Sequence, residues 1–379
     1  MSCSISFPDG NAPQGLIQGT DGNFYGVTFF GGANEEGSVF RLTPKGVLTT
    51  LVSFDGSNGN GPVGTLTEGS DGNFYGVTYG GGSQYDYGTV FKVTPQGVLT
   101  TLNQFDFTHG AQPYAGVIQA TDGNFYGTTY SGGAWGGGTI YKITSQGKFT
   151  VVFNLGGHAY DPSGPVTALV QGNDGTFYGT TPYGGDTNND GAVFKVTPAG
   201  VFTTLYAFSG PDGYSPGGPL VQASDGNFWG TTAYNTTGQG TIFKITPSGT
   251  LTTVHVFDGT DGELPEGVVQ DTNGKFYGSA NLGGTSNAGT VFSLDSGLRA
   301  FVTFLPQVSS GKVGSMIQIL GQGFSSSSTV SFNGTPATAT VKASTYLTVA
   351  VPSGATTGFV TVTTSGVSLR SNRKFRVIP

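Results

Sequence analysis

One nine-residue stretch limits most strongly what this chain can fold into. Thr20–Thr28 reads TDGNFYGVT. It returns as SDGNFYGVT from Ser70, TDGNFYGTT from Thr121, NDGTFYGTT from Asn173 and SDGNFWGTT from Ser224. A weaker sixth copy, TNGKFYGSA, starts at Thr272. The intervals are 50, 51, 52, 51 and 48 residues. A period of this size points to a repeat architecture before any other reading.

Each period contains the signals of four short strands, here called a to d. In the first copy Leu16-Ile17-Gln18 is apolar, and Asp21-Gly22 is a strong hairpin turn signal. Phe24–Phe29 is rich in aromatic and β-branched residues. Gly31-Gly32 to Gly37 reads as a loop, and SVFRL (38–42) as the third strand. Thr43-Pro44-Lys45-Gly46 is a turn in which Pro presets φ and Gly accepts a positive φ. VLTTLVSF (47–54) closes the set. Four antiparallel strands per repeat of about 50 residues are the signature of a propeller blade. No stretch has helical periodicity long enough to place a helix between the strands.

The expected fold is therefore all-β: a six-bladed β-propeller of four-stranded blades over residues 1–304. Ala300–Phe304 is the candidate fourth strand of the sixth blade. Ser4–Phe7 also looks like the end of a strand d. It either completes the last blade or is the stub of an upstream repeat. From Pro306 the composition changes to alternating strands such as MIQILGQGF (316–324), TVSFNG (329–334) and GFVTVTTSG (358–366). These predict an immunoglobulin-like β-sandwich over 305–379.

Composition narrows the function. Glycine is 67 of 379 residues, but it follows the long period, and aromatics at 12% exclude a disordered linker. The net charge of −7 argues against non-specific nucleic-acid binding. No apolar run approaches a membrane span. Residues 1–15 show no signal peptide, so an exported form would take its leader from outside this sequence. Cys3 is the lone cysteine and forms no intrachain disulfide. It reads as a terminal free thiol or as a lipid-acceptor residue.

Residues 15–304 resemble the GloVer-type tandem repeat family of secreted bacterial proteins. The resemblance rests on DGNFYG, the GG…G loop, the VFKxTP segment and the LTTL strand; in the sixth copy Asn273 and Ser293-Leu294-Asp295 depart from it. The tail resembles the IPT/TIG immunoglobulin-like family through ILGQGF, VSFNG, VP-x-G and TGFVTVTT. These resemblances imply an extracellular or cell-surface location, with the tail as spacer or interaction module. They bring no catalytic residue set.

Within each period the a–b and c–d turns are tight and alike. The b–c and d–a loops lie at the other end and vary: ANEE, SQYDY, AWGG, DTNND, NTTGQ and TSNA for b–c. Function is expected on such variable loops carried by a rigid scaffold. The candidate ligand-binding residues are Tyr85, Tyr87 and Trp135 in b–c loops, with His109, Tyr114, His158, Tyr160 and Tyr214 in d–a loops. Exposed rings beside Asn, Asp and Gln suit sugars, which need an apolar face and polar partners at its rim. Glycans or surface proteins are the expected partners. The rings that end strand b, Phe29, Tyr79, Tyr130, Tyr183 and Tyr234, are expected to pack between blades.

No cofactor is required by this pattern. Asp186, Asn188 and Asp190 have the D-x-N-x-D-G spacing of a calcium loop, although Thr197 stands where the twelfth-position acid belongs. The alternative is a polar loop closed by Asx turns. The repeated Asp of DGN and the repeated Gln of strand a read as structural, because one site does not need five copies. A glycoside hydrolase or lyase would draw on the d–a acids Asp161, Asp212, Asp258, Asp261, Glu263 or Glu266. No pair among them stands out. The sequence favours an extracellular binding or adhesion protein, then a structural surface module, then a polysaccharide-active enzyme.

Overall fold

The computed structural model describes residues 10–82, 85–305 and 310–378. Ser4–Phe7 and Cys3 lie outside the described residues. Two compact units divide the chain: Met1–Leu220 with Tyr234–Thr236, and Val221–Ala233 with Thr237–Pro379.

The first unit holds four four-stranded antiparallel sheets, one per repeat, each in the order a-b-c-d. In the first repeat these strands are Asn11–Gln18, Phe24–Phe30, Ser38–Leu42 and Leu48–Ser53. The a–b corner is built by the recurring motif. Gly22 takes φ 83° and donates to Gly19 O at 2.9 Å. One Asp21 oxygen accepts from Asn23 N at 3.0 Å; the other accepts from Asn23 Nδ2 and Tyr25 OH, each at 2.8 Å. Burial raises the Asp21 carboxyl, but these donors outweigh it and hold it below its usual range. Tyr25 is pushed up to about 12 by burial and by its bond to Asp21. Asp71, Asp122 and Asp174 anchor Tyr75, Tyr126 and Tyr178 in the same way.

The same tyrosines join one sheet to the next. Tyr25 stacks on Phe74 at 3.9 Å, Tyr75 on Phe125 at 3.7 Å, and Tyr126 meets Phe177 at 4.1 Å. The Phe and Tyr of DGNFYG are thus the two halves of one contact, repeated along the chain. These rings are buried, each worth roughly 1.5–3 kcal/mol. The strand-a glutamines link repeats as expected: Ser70 N donates to Gln119 Oε1 and Thr121 N to Gln171 Oε1, each at 2.8 Å. Glu68 takes this place for Thr20, at 2.9 Å from its amide. A β-bulge recurs at one position of each c–d pair, as between Val39 and Phe40, adding twist.

The second unit opens with the fifth four-stranded sheet: Val221–Gln222, Phe228–Thr232, Thr241–Ile245 and Leu251–Val256. Here Trp229 stands in the tyrosine's place and stacks on Phe276 at 4.1 Å. The sixth sheet has three strands among the described residues: Glu263–Gln270, Phe276–Leu282 and Thr290–Leu294. Ala300–Phe304 does not supply its fourth, which corrects the sequence expectation. Thr303–Leu305 instead pairs antiparallel with Met316–Leu320, and Val302 and Phe304 enter the sandwich core. The sandwich therefore takes in residues ahead of the expected boundary at 305. The physical reason is a competing edge: Phe304 faces Ile319 across the pair, where a mostly apolar strand already awaits a partner.

The sandwich has two four-stranded sheets and a short parallel pair, Ser310–Lys312 with Arg376–Ile378. Its core gathers Val302, Phe304, Ile319, Phe332, Leu347, Val362 and Phe375. It also touches the sixth repeat. Gln322 Nε2 donates to Thr272 Oγ1 at 2.8 Å, and Phe301 N to Thr272 O at 3.0 Å.

The chain is thus all-β, with repeated propeller-like blades followed by an immunoglobulin-like sandwich. No helix of the described residues is long and apolar enough to cross a membrane.

Candidate functional site

The b–c and d–a loops share one end of the blades, as expected. Gly82, in a b–c loop, donates to Gly56 O in a d–a loop at 2.8 Å. The Gly-Gly pairs make these approaches possible: at Gly81 a Cβ would lie 2.5 Å from the Gly59 backbone.

Trp135 is the most prominent candidate at this end. It is 63% exposed, on a loop whose flanking glycines give it few neighbours. A surface cavity of about 370 Å³ is lined by Trp135, Val152, Phe153, Asn154, Gly157, His158 and Asp161. Gly157 leaves room for the indole, since a Cβ there would come within 3.3 Å of Trp135 Nε1. His158 Nδ1 lies 3.2 Å from Asp161 Oδ2, and that oxygen also accepts from His158 N at 2.8 Å. The Asp161 carboxylate thus contacts both the backbone amide and the ring of His158. Asn154 Oδ1 accepts from Ala134 N at 2.9 Å, tying the Trp135 loop to strand d. Sequence reasoning missed Asn154, because it ends a strand otherwise read as structural.

The repeat before it has a related cleft of about 360 Å³, lined by Asn103, Gln104, Asp106, His109, Phe149, Thr150 and Val151. His109 Nδ1 lies 2.8 Å from Asp106 Oδ2. Tyr85 is exposed and stacks on Tyr87 at 5.8 Å. Tyr87 is half-buried against Phe107, at 5.5 Å.

The strand-end rings do pack across repeats, yet they also keep exposed edges. Tyr114 meets Tyr79 at 5.2 Å and Tyr130 at 5.1 Å. Gln112 Nε2 donates to Tyr79 OH at 2.9 Å. Burial and the bond to Tyr79 raise the Tyr114 hydroxyl, and a bond to Tyr183 raises that of Tyr130. Tyr214 stacks on Tyr234 at 5.2 Å. Tyr114, Tyr160, Tyr183 and Tyr234 are exposed. The result is a half-exposed arc of tyrosines beside the loops.

In the Asp186–Gly191 loop, Asp186 Oδ1 accepts from Asn188 N at 2.8 Å, an Asx turn. Asn189, at φ 62°, closes the loop by accepting from Gly184 N at 2.7 Å. Burial raises the Asp190 carboxyl, with Asp186 and Asp212 adding to it. The carboxylates considered for catalysis are held by their own loops. Asp212 takes the Tyr206 hydroxyl, Asp261 lies 2.7 Å from His255 Nε2, and Asp258 accepts from Thr260 Oγ1 at 2.6 Å. Glu266 accepts from Asn281 Nδ2. Asp258 and Asp261 share one turn, in which the Asp258 amide donates to Asp261 Oδ1 at 3.1 Å, whereas the Glu266 contact joins two neighbouring strands.

The Gloeobacter/Verrucomicrobia repeat model matches residues 1–186 and again 153–335. The chain belongs to this repeat family. An IPT/TIG domain matches 301–375, which agrees with the early start of the sandwich. No curated protein matches the chain. Among solved structures, an auxiliary nutrient binding protein from Bacteroides thetaiotaomicron is 14% identical, covering 76% of this chain and 70% of that one, with a TM-score of 0.46. A structural-genomics protein of unknown function from the same species is 15% identical, covering 75% and 69%, with a TM-score of 0.45. PorZ, a surface component of the type-IX secretion system of Porphyromonas gingivalis, is 14% identical. It is matched over all of this chain and 53% of its own length, with a TM-score of 0.49.

Proposed function

We propose that this repeat protein is an extracellular or cell-surface binding module that holds carbohydrate at the loop end of its blades. One observation carries the reading: an exposed indole, Trp135, forms a wall of a cavity whose polar lining is Asn154, His158 and Asp161. An aromatic face takes the apolar face of a sugar ring, and fixed polar groups take its hydroxyls. The tyrosine arc extends a surface of the same chemistry. The six-blade count belongs to the same proposal, supported by six a–b–c strand sets.

The second reading, a structural module without a ligand, draws support from Asp212, Asp258 and Asp261, which bond residues close to them in the chain. A glycan array probed with the whole chain and with Trp135→Ala separates the two. Binding by the wild type that the variant loses supports the first reading. A blank array across neutral and acidic polysaccharides supports the second.

A further inference from the structure

Charge is divided sharply along this chain. All 22 Asp and Glu residues lie at or before Asp295. The sandwich contains Lys312, Lys342, Arg370, Arg373, Lys374 and Arg376, and no acid at all. Its basic residues therefore have no carboxylate side chain of their own domain to pair with. Arg370 lies over the Phe359 ring at 3.6 Å instead.

Two of these cations lie at a corner of the chain that also carries exposed apolar side chains. In the parallel pair, Ser310 faces Arg376 and Lys312 faces Ile378. Val377 packs on the core, and a Cβ at Gly311 would touch Phe375 and Val351. Alternation along a strand then puts Lys312 and Arg376 together on the outer face. The chain turns directly after Lys312: Ser315 N donates to Lys312 O at 3.0 Å, and Gly314 N to Val351 O at 2.9 Å. Val313 and Met316, on either side of this turn, are both exposed. The turn is held by backbone bonds, and its apolar side chains face solvent.

We propose that this corner of the sandwich docks on an anionic lipid surface. Val313 and Met316 enter the boundary between headgroups and acyl chains, and Lys312 and Arg376 meet the headgroup phosphates. Apolar side chains flanked by cations suit that boundary, where each basic residue near the surface strengthens binding roughly fivefold. A soluble polyanion would use the cations alone and leave the apolar pair without a role. A carbohydrate-only partner would use neither.

The test is co-sedimentation of the whole chain with vesicles of phosphatidylcholine, with and without phosphatidylglycerol. The expected result is binding to the anionic vesicles and little to the neutral ones. Lys312→Gln and Arg376→Gln each weaken it roughly fivefold at low salt, a difference that shrinks as salt rises. Val313→Ser with Met316→Ser weakens it at every salt concentration. Lys312, Val313 and Met316 are exposed and Arg376 half-buried, and circular dichroism checks that each variant keeps the fold. No binding to anionic vesicles overturns the proposal. So does binding that survives both pairs of substitutions, or loss on charge removal with none on apolar removal, which would mark a polyanion site.

Discussion

Strand c of the fifth repeat and strand c of the sixth differ in one respect that separates an inner repeat from a terminal one. Ile242 is 1% exposed, and its counterparts Val39, Val90, Ile140 and Val193 are 0% exposed. Val291, at the same position of the sixth, is 86% exposed. Each of the inner residues lies on a strand c that pairs with a strand d. Among the described residues, no strand pairs with the outer edge of Thr290–Leu294. At the other end of the same sheet the opposite has happened. Inner repeats close their a–b corner with the next repeat's glutamine: Gln119 Nε2 donates to Ser70 Oγ at 3.2 Å, and Gln270 Nε2 to Ser224 Oγ at 3.1 Å. In the sixth repeat the sandwich residue Gln322 makes that bond, to Thr272. A repeat array needs its terminal faces managed, and here the sandwich handles the corner while the strand edge stays open.

The largest effect that sharpens this contrast is a pair of core truncations. Ile242→Ala should cost about 3 kcal/mol in urea unfolding, the transfer loss plus a cavity. Val291→Ala should cost less than about 0.5 kcal/mol, as an exposed position does. Equal costs would mean that a fourth strand covers Val291 in solution, and residues 4–7 would be the first to examine by cysteine cross-linking.

A middle-sized effect tests the corner. Gln119→Ala and Gln322→Ala should each cost about 1 kcal/mol, the net value of a typical intramolecular hydrogen bond. A silent Gln322→Ala would remove the sandwich from the role of a following repeat.

The smallest effect concerns the one acid in the glutamine series. Glu68 is buried, and burial raises its carboxyl above the usual range, although the bonds from Thr20 oppose this. A carboxyl raised in the folded state binds its proton more tightly there than in the unfolded chain. Its contribution is therefore fully present below the unfolded pKa and is lost as pH rises through the folded one. Glu68→Gln should raise the Tm at neutral pH and match the wild type in acid. A variant less stable at neutral pH would show that the ionised carboxylate is the better partner for Thr20.

Much of the fold was legible because its causes are local. Asp21-Gly22 states a turn, Phe24 and Tyr25 state the contact to the next repeat, and the period repeats both. Where the choice was non-local, the pattern failed. Phe301 to Phe304 has the composition of a strand d, but only the position of Met316–Leu320 decides which edge it joins. The site shows the same division. The glycines around Trp135 left exposure and burial equally open, and the structure exposes it. The burial of Tyr87 depends on Phe107, twenty residues away, and Asn154 became visible only when strand d was placed beside the Trp135 loop.

Titration calorimetry with the strongest array ligand, on wild type and Trp135→Ala, tests the central claim most directly. The indole should behave as a binding hot spot, so its removal should weaken binding by at least roughly tenfold. His158→Ala should weaken it less, and the Tm of each variant should stay near that of the wild type. An affinity that Trp135→Ala leaves unchanged would contradict the account, because the ligand would then sit elsewhere on the blades.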